Sequence, residues 1–168
     1  MVWKNGGVKL DINLVGACGL YCGACDHYLG FCDGHKNLLE NEKFNGKTEE
    51  EVLCRGCHSD KRTPHCEACT MRICADKKGV TVCSECNEYP CSELTEFYKK
   101  GDIWEKAAHR KSIMKNLNRI KEVGVENWLG EQEEKWKCQC GRSYSFYEEE
   151  CSDLPLPGCS FHTQWLCC

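Results

Sequence analysis

The sequence lacks any long apolar run. Nothing in its 168 residues approaches the roughly 18–20 uninterrupted apolar residues that a membrane-spanning helix requires. The first 20 residues carry Lys4, Lys9 and Asp11 where a secretory signal would need an apolar stretch. We therefore expect a cytoplasmic protein that does not enter a membrane.

Large apolar side chains are also scarce. Ile, Leu, Val and Phe together supply only 31 of the 168 residues, while 29% of the residues are charged. A chain of that composition buries too little apolar surface to offset the loss of conformational entropy on folding. The abundant residue is cysteine, with 18 copies, so we expect the cysteines to supply the missing stability.

Cysteines stabilise a fold as disulfides or as metal ligands, and the compartment decides between the two roles. Thiols persist in a reducing cytoplasm, so metal binding is the expected role. The formal net charge of −4 becomes more negative on metal binding, because four thiolates with one divalent ion carry about −2. This acidity disfavours a nucleic-acid backbone as partner unless a basic face is set apart.

The cysteines fall into two groups along the chain. Twelve lie between Cys18 and Cys91 and six between Cys138 and Cys168, and the 46 residues between the groups contain none. This spacing predicts a cysteine-rich metal-binding domain at 1–101, a helical connector at 102–135 and a zinc-ribbon-like tail at 136–168. The expected fold is small and metal-stabilised, mostly α with cysteine knuckles, and ends in a short β ribbon.

The strongest signal for metal binding is the Cys-x2-Cys pair. A tight turn brings both sulfurs of such a pair to one ion, and two pairs complete a tetrahedral shell of four thiolates. Four pairs have this spacing, at 22/25, 54/57, 66/69 and 83/86, and a shortened one lies at 138/140. The pattern Cys66-x2-Cys69-x4-Cys74 also recurs 17 residues later as Cys83-x2-Cys86-x4-Cys91.

The spacing leaves open which cysteines share an ion. Twelve thiols suffice for three closed sites, and the pairs 66/69 and 83/86 together match a common zinc spacing. The expected metal ligands are Cys18, Cys22, Cys25, Cys32, Cys54, Cys57, Cys66, Cys69, Cys74, Cys83, Cys86, Cys91, Cys138, Cys140, Cys151 and Cys159.

Iron–sulfur clusters are the alternative, since thiolates bind zinc and iron alike. The run from Cys18 to Cys25 has the C-x3-C-x2-C spacing of radical S-adenosylmethionine enzymes, but Ala24 stands where an aromatic residue is usual. The ferredoxin run C-x2-C-x2-C-x3-C-P is absent, and Pro90 precedes Cys91 instead of following it. We therefore expect Zn²⁺ ahead of 4Fe–4S clusters. Electron transfer or metalloenzyme maturation is the alternative function.

The segment between the cysteine groups has helical periodicity. Apolar residues recur at three- and four-residue spacing from Asp102 to Val123, which predicts an amphipathic helix, and Gly124 separates it from a second helix at Glu126–Lys135. The first helix has a basic face through which nucleic acid could be bound; the more ordinary interpretation is a solvated surface. This face consists of Lys106, Arg110, Lys111, Lys115, Arg119 and Lys121.

The tail opens as a zinc ribbon does. Cys138-Gln-Cys140 is followed by a segment of alternating polarity, which predicts a strand. A ribbon closes with a second Cys-x2-Cys pair, but Leu154 stands where the partner of Cys151 is expected, so Cys159 would substitute. Cys167 and Cys168 have no assigned role.

No catalytic motif is present. The sequence contains no phosphate loop, H-E-x-x-H or dinucleotide fingerprint, and no Ser, His and Asp order typical of a hydrolase. We therefore expect a binding protein, with another protein as its partner, and assign no catalytic residue.

Taken in order and spacing, these motifs resemble a known family. Cys18-Gly-Leu-Tyr-Cys-Gly-Ala-Cys25, Cys54-Arg-Gly-Cys57, Cys66-Glu-Ala-Cys69 and Cys83-Ser-Glu-Cys-Asn-Glu-Tyr-Pro-Cys91 are similar to the cysteine-rich domain-of-unknown-function 3795 family of bacteria and archaea. The resemblance covers about residues 15–100. It implies metal binding, with zinc expected, and no established reaction.

Overall fold

Helices dominate the part of the chain that the structure describes. The structure is a computed structural model, and it describes residues 2–3, 9–32, 46–103, 105–138 and 141–147. Two short strands, β1 (Val2–Trp3) and β2 (Lys9–Leu10), pair antiparallel at the start. The α-helices are α1 (Asp26–Cys32), α2 (Glu49–Val52), α3 (Pro64–Glu67), α4 (Thr70–Lys78), α5 (Ser92–Ile103), α6 (Ile113–Val123) and α7 (Val125–Lys135). Short 3₁₀ helices lie at Ile12–Leu14, Cys22–Ala24, Cys83–Glu85 and Glu105–Ser112. None of the helices in these ranges is both long and apolar enough to cross a lipid bilayer.

The predicted helix over 102–123 is wrong in its first half. Helix α5 continues through Gly101 to Ile103, and only α6 keeps the expected amphipathic periodicity. A Cβ atom at Gly101 would lie 3.0 Å from Cβ of Arg110 and 3.1 Å from the amide nitrogen of Lys111. Gly101 therefore permits close packing of the following 3₁₀ segment against α5 and does not end the helix.

The helical pair α6 and α7 forms the centre of the apolar core. Gly124, with φ +81°, separates the two helices, as the sequence predicts, and Val125–Lys135 matches the second predicted helix to within one residue. Helix α6 buries Ile113, Leu117 and Ile120 at three- and four-residue spacing. The fully buried Trp128 of α7 meets Tyr21 edge to face, with ring centroids 6.2 Å apart.

The first cysteine run, Cys18 to Cys25, packs directly on this core. A Cβ atom at Gly19 would lie 2.7 Å from Cγ of Leu117, so only glycine permits this approach. The side-chain amide of Asn116 donates to the carbonyl oxygen of Gly19 over 2.8 Å. The cysteine-rich segment and the helical connector therefore share one core.

The expected C-terminal β ribbon is wrong for the described residues. Residues 105–138 and 141–147 contain no strand, and their β structure is limited to one isolated bridge between Lys137 and Ser143. The reason is that the segment beyond the bridge bonds to the first cysteine run: the amide of Phe146 donates to the carbonyl oxygen of Ala24 over 2.9 Å. Residues 148–168, including Cys151 and Cys159, lie outside the described residues.

The expectation of a metal-stabilised fold is likewise wrong. Within the ranges described, no group of three or more His, Cys, Asp or Glu side chains could hold a metal ion as the side chains stand. An apolar cluster holds these elements together instead. It joins β2, the first cysteine run and helices α4 to α7 through buried side chains, among them Val15, Tyr21, Leu94, Leu117 and Trp128.

A buried polar contact fixes the C-terminal segment. The Ser145 hydroxyl, with no exposed area, donates to Oδ1 of Asp26, which is 2% exposed. We expect Ser145→Ala to lower the free energy of unfolding by about 1–3 kcal/mol, because it removes a donor from a buried carboxylate. Urea denaturation of this variant beside Ser143→Ala, which alters a half-buried serine two residues away, measures the effect. Equal losses in both variants would contradict the assigned role of Ser145.

The predicted basic face is partly engaged within the chain. The Arg119 guanidinium pairs with Glu131 at 2.6 Å and with Glu122 at 3.0 Å. Cζ of Arg110 lies 3.9 Å from the ring centroid of Phe97. These contacts direct two of the six cations toward the protein's own side chains, which leaves less positive charge for a nucleic-acid backbone.

Candidate metal centre

Three of the four Cys-x2-Cys pairs adopt the same turn. In each, the amide of the second cysteine donates to the carbonyl oxygen of the first: Cys25 to Cys22 over 3.1 Å, Cys69 to Cys66 over 3.3 Å and Cys86 to Cys83 over 3.1 Å. Each of these hydrogen bonds closes a single 3₁₀-type turn, which is a common conformation when two residues separate the bonded donor and acceptor. The pairs predicted from spacing thus share a backbone conformation that keeps their two cysteines close together.

The fourth pair is held by a distant segment instead. The Cys57 amide donates to the carbonyl oxygen of Asn13 over 2.7 Å, and Gly56 adopts φ +107°. The Ala17 amide donates to Sγ of Cys57 over 3.4 Å, and the Ala17 carbonyl accepts from the amide of Cys83 over 2.7 Å. Residues 13–17 therefore bridge two cysteine pairs that are far apart in the sequence.

This bridge assembles a central thiol group around Cys18. The group consists of Cys18, Cys57, Cys69 and Cys83. Burial raises the pKa of the Cys18 thiol far above its usual range, and the neighbouring thiols of Cys57, Cys69 and Cys83 raise it further. Burial also raises the pKa of Cys57 to about 11. These cysteines come from four separate parts of the chain.

A second set, the outer thiol group, consists of Cys22, Cys25, Cys54 and Cys66. The side chains of Cys54 and Cys66 share a hydrogen bond, which lowers the pKa of Cys54 and raises that of Cys66. Burial raises the pKa of Cys22, and the neighbouring thiols of Cys57, Cys25 and Cys54 add to the shift. Helix α3 begins at Pro64 after the Thr63 cap, whose side chain accepts from the Cys66 amide, and so positions Cys66.

A third set, the terminal thiol group, lines a cavity of about 30 Å³. Its members are Cys74, Cys83, Cys86 and Cys91, and Lys78, Glu88 and Tyr89 complete the lining nearest to them. The pKa of Cys83 is raised to about 12, chiefly by burial. The neighbouring thiols of Cys91, Cys74 and Cys86 raise it as well, in decreasing order of effect. Cys83 therefore neighbours both the central and the terminal group.

The structure adds neighbours to the pairs that the sequence predicts. Cys66 shares a hydrogen bond with Cys54 in the outer group, and Cys69 neighbours Cys18 and Cys83. The amide of Cys138 donates to the carbonyl oxygen of Arg142 over 2.8 Å. The side chain of Cys32, together with Cys140, lies outside the described residues, as do Cys151 and Cys159.

Sequence reasoning missed Lys78 and Glu88. The Lys78 ammonium lies 3.5 Å from Sγ of Cys86 and 2.6 Å from Oε1 of Glu88, and the Glu88 amide donates to the same sulfur over 3.4 Å. Lys78 follows Cys74 by four residues in α4, so the two side chains share a helix face. That spacing is the signal that could have identified it.

The donor chemistry of these three groups fits a thiophilic metal. No two of the twelve cysteines whose side chains are described form a disulfide. Soft thiolate ligands select zinc, copper(I) or iron–sulfur clusters, and N–H donors to sulfur commonly support such ligands. The thiols are thus suited to metal ligation by type and proximity, although their present side-chain conformations close no site.

Comparison with known families agrees with the cysteine pattern. Residues 14–96 match the model of a family described as a protein of unknown function, DUF3795. The expected resemblance is confirmed. All three thiol groups lie within the DUF3795 match, whereas α6, α7 and the C-terminal segment lie beyond it. No curated protein and no solved structure matches the chain.

Proposed function

We propose that this protein binds metal ions, with Zn²⁺ as the principal ion, through the thiolates of its first cysteine group, and that it acts by contacting another protein. The observation that carries the proposal is the convergence of eleven thiols from separate chain segments into three neighbouring groups. Thiols that served only as small apolar core residues would have no reason to gather together. Metal ligation requires that they do.

Side-chain rotation is the step that would close a site. Cysteine has one side-chain torsion that positions its sulfur, with three staggered wells, so rotation about it moves the sulfur while the backbone stays in place. Metal binding displaces the thiol protons because thiolates are the ligands. The raised pKa values of Cys57 and Cys83 favour their protonated form, and a bound metal ion would replace those protons.

The size of the cavity that the terminal thiol group lines favours a single ion over a cluster. A volume of about 30 Å³ accommodates one or two water molecules. A 4Fe–4S cluster brings eight atoms and would have to displace the lining side chains. Iron–sulfur chemistry therefore remains the second candidate, distinguished by elemental content.

A closed four-thiolate zinc site has no open coordination position for a substrate. The activity of the protein would therefore reside in its surface and not at the metal. This reasoning supports a role in binding another macromolecule. It assigns no catalytic residue.

Elemental analysis of protein purified without oxygen or added metal tests the proposal. With about four thiolates for each ion, eleven thiols lead us to expect about two to three zinc equivalents per chain and no visible colour. Cys54→Ser should lose about one equivalent. Cys138→Ser, outside the three groups, should keep the content of the parent protein.

Two results would contradict zinc binding. The first is a folded, reduced protein that contains no transition metal and takes up none from a Zn²⁺ solution. The second is iron with sulfide and a broad absorption near 400 nm, on the order of where thiolate-ligated clusters absorb, which would favour the iron–sulfur alternative.

A further inference from the structure

We infer that Cys74, Cys83, Cys86 and Cys91 are the complete ligand set of one metal site, which takes a single thiophilic divalent ion. The inference rests on the proposed function and adds which thiols share an ion. The spacing alone leaves the sharing open, although the pairs 66/69 and 83/86 together match a common zinc spacing. In the structure these four cysteines line one cavity, and neither Cys66 nor Cys69 is part of its lining.

A chain reversal after α4 brings the four cysteines together. Helix α4 ends at Gly79, which adopts φ +67°, and the Val80 amide donates to the carbonyl oxygen of Ala75 over 3.1 Å. The chain then returns past Cys74 and forms the turn at Cys83–Cys86. A second turn, in which the Tyr89 amide donates to the carbonyl oxygen of Cys86 over 3.1 Å, leads to Cys91.

The surroundings of the cavity suit an ion with four thiolates. Such a site carries about −2, and the Lys78 ammonium 3.5 Å from Sγ of Cys86 offsets part of that charge. The Glu88 amide donates to the same sulfur over 3.4 Å. Tyr89, whose hydroxyl donates to Oδ1 of Asn118 over 2.8 Å, and Leu94 complete an otherwise apolar wall.

Cys83 belongs with this set although it also neighbours the central group. The thiols that act most strongly on it are Cys91, Cys74 and Cys86, and Cys69 comes last. Its position at the start of the turn to Cys86 holds it beside Cys86 whatever binds. The terminal group is therefore a set of four thiols that line the same cavity.

Metal stoichiometry in single and double variants tests the assignment. The full chain is stripped by chelation under reducing conditions, reloaded with Zn²⁺ or Co²⁺, and its content and Co²⁺ absorption are measured. We expect Cys74→Ser and Cys91→Ser each to lose about one equivalent. The double variant Cys74→Ser/Cys91→Ser should lose no more than either single variant, because both cysteines serve the same ion.

A second pair and a neutral variant serve as controls. Cys74→Ser/Cys54→Ser should lose about two equivalents, since Cys54 belongs to the outer group, which shares no thiol with the terminal group. Asn87→Ser, an exposed substitution beside Cys86, should retain the full content. A loss of two equivalents in Cys74→Ser/Cys91→Ser would overturn the assignment, and so would full content in Cys74→Ser.

Alkylation of the unmodified protein gives an answer even if a variant fails to fold. As Zn²⁺ is withdrawn stepwise, iodoacetamide should label Cys74, Cys83, Cys86 and Cys91 together, and mass spectrometry of the peptides reports each position. Labelling of Cys74 in step with Cys57 or Cys22, and apart from Cys91, would overturn the assignment. A parent protein that binds neither Zn²⁺ nor Co²⁺ would instead overturn the proposed function itself.

Discussion

Gly56→Ala is expected to lower the free energy of unfolding by about 2–6 kcal/mol. The added Cβ would lie 2.2 Å from the carbonyl oxygen of Asn13, and relief of such a contact typically costs about 1–3 kcal/mol. Gly56 also adopts φ +107°, which adds strain of about 1–3 kcal/mol for a residue with a side chain. Moving Asn13 away would break the bond from the Cys57 amide to that oxygen.

Gly79→Ala is the matched control for this prediction. Gly79 also has a positive φ, +67°, but nothing lies within 4 Å of its added Cβ. Its cost should therefore be limited to the left-handed conformation, about 1 kcal/mol. Urea denaturation of both variants under reducing conditions gives the comparison. A cost for Gly56→Ala no larger than that for Gly79→Ala would show that the bridge at Asn13 adapts without loss.

Trp128→Ala should cost about 3–5 kcal/mol, the range typical of a buried aromatic residue replaced by alanine. Trp128 has no exposed area and packs edge to face on Tyr21. The cavity would open between α7 and the first cysteine run. Because small domains have only about 5–15 kcal/mol of stability, this loss should bring the midpoint of thermal unfolding down sharply.

Two further variants separate lost volume from other causes. Trp128→Phe keeps most of the aromatic contact and removes an indole N–H that has no acceptor among the described residues, so it should cost far less than Trp128→Ala. Ile103→Ala removes a large apolar side chain that is 75% exposed and should change stability by about 0.5 kcal/mol or less. Comparable losses in all three variants would argue against packing as the cause.

Local patterns in the sequence predicted local structure well. The spacing of α6, the break at Gly124 and the helix that follows depend on periodicity and on one glycine, and the structure agrees with all three. The turns at the Cys-x2-Cys pairs likewise follow from short-range geometry. Helix α5 continues through Gly101, because the role of that glycine is contact with a later segment, which no local pattern reveals.

The internal repeat shows why the thiol groups could not be predicted. Cys66, Cys69 and Cys74 lie in three different groups, whereas Cys83, Cys86 and Cys91 line one cavity. Helix α4 runs from Thr70 to Lys78 and carries Cys74 away from Cys69 by about 1.5 Å per residue. In the second copy of the repeat, Pro90 blocks a helix at the position that corresponds to α4 in the first copy. The second copy therefore turns back to Cys91. A single difference in backbone thus changes which thiols become neighbours.

The prediction of a C-terminal ribbon was wrong for a related reason. Alternating polarity at residues 143–147 is a valid strand signal, but it does not state which backbone groups the segment will bond. Phe146 bonds to Ala24 and Ser145 to Asp26, about 120 residues earlier in the chain. Pairing at that distance depends on the assembled core.

The backbone hydrogen bond from Phe146 to Ala24 can form only after most of the chain has been translated. At about 5–20 residues per second, on the order of ten seconds separate the synthesis of Ala24 from that of Phe146. Throughout that interval the turn at Cys22–Cys25 lacks its final covering segment. During that interval an ion, an oxidant or a chaperone can reach the sulfurs of this turn from the surrounding solution.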